Sequence, residues 1–191
     1  VSNVEIHASN PEITYIAPVD APQRTVYFET ELKENQEFMV DYSFDYHVNY
    51  VELDPAKVSE EQPDFCLEEQ APHIVFTPYL RELRDELAGD ETNPIILARR
   101  FYDFVTTKVM YSFMREYFTI ECIPEYCAIN LKGDCGVQAL LFITLCRMSG
   151  IPARWQSGLY ATEYYTGCHD WAQFYVAPYG WVFADPSFGG S

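Results

Sequence analysis

Three residues in the second half of the chain have the types and the order of a nucleophilic site: Cys135, His169 and Asp185. The cysteine closes the small polar turn Gly133-Asp134 and opens the apolar run Gly136-Val137-Gln138-Ala139-Leu140-Leu141-Phe142. The N–H groups at a helix start are unpaired and carry partial positive charge. A thiol placed there has its thiolate favoured, and the thiolate is the reactive form. His169, in His-Asp-Trp, can take the thiol proton and return it to a leaving group. Asp185, in Ala-Asp-Pro, is the acid that can orient an imidazole and stabilise its charged form. The chemistry such a set performs is attack on a carbonyl through a thioester.

Two kinds of element must hold these residues. Val137, Ala139, Leu140, Leu141, Phe142, Ile143, Leu145 and Met148 make the run after Cys135 apolar on most of its surface, as in a helix buried on several sides. Gly150 ends it and Pro152 prevents its continuation. Strands are expected over about 153–160, 170–176 and 181–184. Ala177-Pro178-Tyr179-Gly180 is a turn signal, so the last two should form a hairpin. His169 and Asp185 are centred on residue 177, within a residue or two of that turn. An antiparallel register therefore brings the acid beside the imidazole.

The preceding chain divides near residues 60–75. Residues 1–75 read as a β-rich domain, a small antiparallel sandwich or sheet, and 76–191 as the part that carries the chemistry. Phe38, Val40, Tyr42, Phe44, Tyr46, Val48 and Tyr50 alternate with polar residues, the period of a half-buried strand. Thr25–Leu32 and Ile13–Ile16 are shorter candidates, with Pro11, Pro18, Pro22, Pro55 and Pro63 between segments. His7, His47 and His73 stand alone and read as structural or surface residues. From residue 77 the period becomes helical. Thr77-Pro78 and Asn93-Pro94 are N-cap and first-turn signals, followed by Leu80, Leu83 and Leu87, then by Ala98, Phe101, Val105 and Val109. Residues 111–134 read as an ordered loop with little regular structure.

The formal net charge of −17 argues against nucleic acid or an anionic membrane as a partner; a protein or peptide substrate is the expectation from thioester chemistry on an amide. No loop has the alternating oxygen ligands of a calcium site, and no metal or cofactor motif is found. Six cysteines are too few for a disulfide scaffold at this length and suit a reducing, cytoplasmic compartment. Cys146 lies on the apolar helix as a small hydrophobe, and Cys122 and Cys127 lack zinc-knuckle spacing. No apolar run reaches the length of a membrane span. The chain opens at Val1 and ends soon after Asp185, so it is expected to be a fragment of a longer protein.

Gly-Asp-Cys-Gly with its apolar helix, Cys-Arg-Met-Ser-Gly-Ile-Pro-Ala-Arg at 146–154, His-Asp-Trp, and Gly-Trp-Val-Phe-Ala-Asp-Pro at 180–186 together resemble the transglutaminase-like superfamily. The resemblance covers about 130–186 and extends to the helices from about 77, but not to the first 75 residues. It implies an α+β fold, the papain-like transglutaminase core, with a central helix carrying the cysteine and an antiparallel sheet carrying the histidine and the acid. Here a small β-rich domain precedes that core. It further implies Cys135 as nucleophile, His169 as general base and acid, Asp185 as the residue orienting His169, and Arg154 and Trp171 as supports. Two departures stand out: the core ends early, and Cys168 fills a place where a small or polar residue is commoner.

The expected activity is a cysteine-dependent amide hydrolase, with protein-glutamine transglutaminase as the alternative. A fold that has lost activity and serves as a binding module is the reading from another class, and a zinc site of Cys135, Cys168 and His169 is a weaker one. The Cys135 N–H would supply one oxyanion donor and the 111–130 region the second, with Tyr111 the candidate.

Overall fold

The computed structural model describes residues 2–21, 25–47 and 50–189. Val1, Pro22 and Val48, which the sequence patterns above include, lie outside the described residues. Two compact units form, Val1–Tyr50 and Val51–Ser191.

The first unit contains β1 (Ser2–Asn10), β2 (Tyr15–Ile16), β3 (Val26–Tyr27) and β4 (Met39–Asp45). β1 pairs antiparallel with β4, and β2 with β3, as two separate two-stranded sheets. No sandwich forms among the described residues, and Ala17 is the one buried apolar residue described in this unit. The alternating pattern from Phe38 forms β4, but with Tyr42, Phe44 and Tyr46 exposed, and β1 had no sequence signal of its own.

The boundary falls after Tyr50, ahead of the region expected from composition. The Asp54 N–H donates to the Tyr179 hydroxyl and the Ser59 N–H to the Ala177 carbonyl, each at 3.0 Å. Arg147 donates to the Glu68 carbonyl at 2.6 Å, and Phe65 packs against Tyr175 and Trp181. Residues 51–75 are thus bound to the second unit although their composition is that of a loop.

The second unit is built around α4 (Cys135–Met148), in which every residue from Gly136 to Arg147 is buried. Against it pack α1 (Pro78–Ala88), α2 (Pro94–Lys108), α3 (Ile123–Asn130) and the antiparallel sheet β7 (Ala153–Ala161), β8 (Thr166–Val176) and β9 (Gly180–Ala184). Between them β5 (Met110–Tyr111) pairs parallel with β6 (Lys132–Gly133). The caps act as their residue types dictate. The Leu80 N–H donates to the Thr77 hydroxyl, and the Ile95 and Ile96 N–H groups donate to the Asn93 side chain. After α4, Gly150 adopts φ 74°, a left-handed conformation that glycine takes without a Cβ penalty, and the Ile151 N–H returns to the Cys146 carbonyl at 3.0 Å. Residues 111–134 are more regular than expected. They include α3, whose Ile123, Pro124, Cys127 and Ala128 are buried, so tertiary packing rather than propensity holds that helix.

Candidate active site

Cys135 is the first residue of α4, and Asp134 is its N-cap: the Val137 N–H donates to Asp134 Oδ1 at 3.0 Å. The same oxygen accepts from the Tyr117 hydroxyl at 2.5 Å. The thiol itself faces β8, where it donates to Asp170 Oδ2 in a long contact of 3.9 Å. The expectation of a favoured thiolate is reversed in this arrangement. Burial pushes the Cys135 pKa up, with the Asp170 and Asp134 carboxylates adding to it; the backbone N–H groups of Asp170 and Gly136 only partly offset them. Burial is the first cause, and the cap adds to it. Asp134 brings a negative charge to the helix start whose positive field was expected to act on the sulfur.

His169 and Asp185 meet directly, Nε2 to Oδ2 at 2.6 Å, with their side chains only 12% and 10% exposed. With Nε2 engaged by the carboxylate, Nδ1 is the ring nitrogen that remains to act as a base. β8 and β9 pair in the register Ala172↔Ala184 through Val176↔Gly180, centred on residue 178 rather than 177. Asp185 is therefore one residue past the end of β9 and reaches His169 diagonally, a separation that long side chains span. Its other oxygen accepts from the Ser187 N–H at 3.1 Å and from the Ser187 hydroxyl at 2.7 Å. Its carbonyl accepts from the Tyr102 hydroxyl on α2 at 3.2 Å. The carboxylate is held on both oxygens.

Rings enclose the imidazole. Trp171, two residues along β8 and so on the same face, lies 6.1 Å from it at 27°, and Tyr160 and Phe188 approach edge-on at 6.0 and 5.2 Å. Gly158 pairs with His169 across β7 and β8, and a Cβ there would lie 2.8 Å from the Trp171 ring. Arg154 reaches the site only at one remove: its Nε donates to Gln173 Oε1 at 2.9 Å, and its guanidinium stacks 4.0 Å over the Trp181 ring.

The Tyr111 hydroxyl stands beside Cys135, interacting with both its sulfur and its backbone N–H. Burial first, then the Cys135 and Asp134 charges, push that phenol's pKa up. Tyr111 also lines a cleft of about 450 Å³ together with Tyr160, Tyr165, Ser187, Phe188 and His169. Cys168, which is exposed, opens onto the same cleft. A larger cavity of about 540 Å³, between α2 and β9, reaches Asp185 but includes neither Cys135 nor His169.

The structure thus joins His169 to Asp185, and Cys135 to the strand that carries His169. The sulfur meets Asp170, the neighbour of the histidine, and the Tyr111 hydroxyl. In the sequence, Asp134 and Asp170 stand inside the motifs without a role of their own, and nothing there marks Tyr117, Tyr102 or Tyr160 as contacts. Ser187, two residues after an aspartate, is a legible turn signal. The tyrosines are brought in by tertiary packing and have none.

No curated protein matches the chain. Two solved structures share the fold over 64% of it, each at 20% identity: a candidate cysteine protease from Cytophaga hutchinsonii, TM-score 0.55, and the periplasmic domain of TgpA from Pseudomonas aeruginosa, TM-score 0.54. The match covers 40% and 45% of those chains respectively, less than half of either. Residues 81–186, more than half of the chain and the span that includes Cys135, His169 and Asp185, match the family model of the transglutaminase-like superfamily, and the chain belongs to that superfamily.

Proposed function

We propose that the chain is a cysteine-dependent amide hydrolase acting on a protein or peptide, with Cys135 as nucleophile, His169 as general base and acid, and Asp185 orienting His169. The observation that carries this reading is the shielded His169–Asp185 pair on the strand that faces the thiol at the start of α4. Because Asp185 engages Nε2, the free Nδ1 takes the proton from Cys135 as the sulfur attacks an amide carbonyl. The tetrahedral oxyanion forms beside the Cys135 N–H, and Tyr111, whose hydroxyl interacts with Cys135, is the candidate for the second donor. Nδ1–H then protonates the leaving amine, and a thioester remains on Cys135. Water activated by His169 releases the acid and restores the thiol.

A protein amine taking the place of that water would make the enzyme a transglutaminase, and the triad is common to both outcomes. Hydrolysis is favoured by the fold shared with a candidate cysteine protease. The test is incubation with an unstructured, glutamine-containing protein in the presence of a labelled primary amine, reading new N-termini, ammonia and incorporated label. Cleavage or ammonia release without incorporation, abolished in Cys135→Ala, is the expected result. Incorporation would establish transfer instead, and identical behaviour of wild type and Cys135→Ala would overturn the assignment of the nucleophile.

A further inference from the structure

Asp170 is a third carboxylate at the site, distinct from the acid that orients the histidine, and it is the one in contact with the sulfur. Its place is built rather than incidental. Ser157, directly across the β7–β8 ladder, hydrogen-bonds its carboxylate. On the opposite side the carboxylate lies over Gly136, where a Cβ would sit 2.9 Å from Asp170 Oδ2 and 2.5 Å from the Tyr117 hydroxyl. A larger residue after the cysteine would displace both groups, so the glycine opens the slot through which Asp170 reaches the helix start. The two halves of Asp170 act oppositely on Cys135: its backbone N–H stabilises the thiolate and its side chain opposes it.

We propose that Asp170 is a positioning residue that restrains the nucleophile, holding Cys135 as a hydrogen-bonded thiol until His169 takes its proton. This rests on the reading of Cys135 as the nucleophile. The charged or titratable groups facing the thiol are Asp134 from the cap of α4, Asp170 from β8 and Tyr111 from β5, while Tyr117 and His169 face Asp170. All the acids among them oppose ionisation of the sulfur. A thiol restrained in this way resists adventitious alkylation and oxidation. It still reacts when a bound amide presents its carbonyl and the proton leaves for Nδ1 in the same step. Burial first, with the Asp134 charge adding to it, pushes the Asp170 pKa up, while the hydrogen bonds from Ser157 and Cys135 and the His169 charge oppose it.

The test is the pH dependence of iodoacetamide alkylation at Cys135, resolved by peptide mapping, in wild type, Asp170→Asn and Asp170→Glu. In wild type the midpoint should lie above that of an ordinary thiol. Asn keeps the backbone N–H and removes the charge, so the midpoint should fall. Alkylation at pH 7 should then rise about tenfold for every pH unit by which the midpoint drops. Glu should retain the high midpoint. An unmoved or raised midpoint in folded Asp170→Asn would overturn the proposal.

Should the variants fail to fold, wild type alone decides. Cationic and anionic methanethiosulfonate reagents are compared at Cys135, with the exposed Cys168 as internal reference. A stronger preference for the cationic reagent at Cys135 supports the carboxylate's presence at the sulfur; equal preferences contradict it. Failure of the catalytic reading shows separately, as acylation of Cys135 that does not depend on His169.

Discussion

At Cys135 the partial positive charge of a helix start meets two carboxylates, Asp134 and Asp170, in a half-buried setting. Burial and the acids prevail, so under the proposed mechanism Cys135 depends on proton removal by His169 rather than on a standing thiolate. Of the other cysteines, Cys127 is pushed up to about 12 by burial and Cys146 well above its ordinary value, so neither competes as a reactive thiol. Asp170 carries a stability consequence whose sign is fixed. Its folded pKa is raised above the unfolded value, chiefly by burial, so the folded state binds the proton more tightly. Its favourable contribution is present below the unfolded pKa of about 3.9 and is lost as pH rises through the folded pKa. Asp170→Asn should therefore melt higher than wild type near pH 7, with the difference closing below about pH 3.9. Thermal unfolding at the two pH values checks this, and a lower melting temperature at pH 7 would contradict it. A residue that costs stability where it touches Cys135 fits a functional role.

Among the elements, α4 and the β7–β8–β9 sheet were largely legible. The apolar run after Cys135, the Gly150 stop and the turn at 177–180 each have a local physical signature. The register of the hairpin came out one residue from expectation at the turn centre, and the diagonal reach of Asp185 absorbed the offset. β8 begins at Thr166, earlier than expected, because Thr166, Gly167, Cys168 and His169 continue the ladder opposite Ala161, Tyr160, Leu159 and Gly158 of β7; His169 thus lies inside a strand and not ahead of it. α3 and the attachment of residues 51–75 were not legible, since both depend on what they pack against. Gly158 offers a test at this scale. Gly158→Ala should push the Trp171 ring aside and tilt the imidazole stacked on it, lowering kcat by more than about tenfold while the melting temperature changes little. Steady-state kinetics with thermal unfolding of the same sample separate the two effects, and an equal loss of both would show that Gly158 serves folding instead.

For the whole molecule, the buried apolar core lies in residues 51–191, while the first unit exposes most of its aromatic residues. Residues 51–191 expressed alone should fold cooperatively and retain reactivity at Cys135, whereas residues 1–50 alone should show no cooperative unfolding, as expected of isolated two-stranded sheets. Circular dichroism of the two fragments checks both statements. The net charge of −17 will bias which substrates approach, so rates on cationic peptides should fall with added salt. The most direct test of the Cys135–His169–Asp185 assignment is acylation of the full chain by p-nitrophenyl acetate in single turnover, with the acetyl group located by mass spectrometry. Acetylation should fall on Cys135 and slow by roughly 10²–10⁴-fold in His169→Ala, the usual contribution of a general base. Acetylation of Cys168 instead, or an unchanged rate at Cys135 without His169, would contradict it.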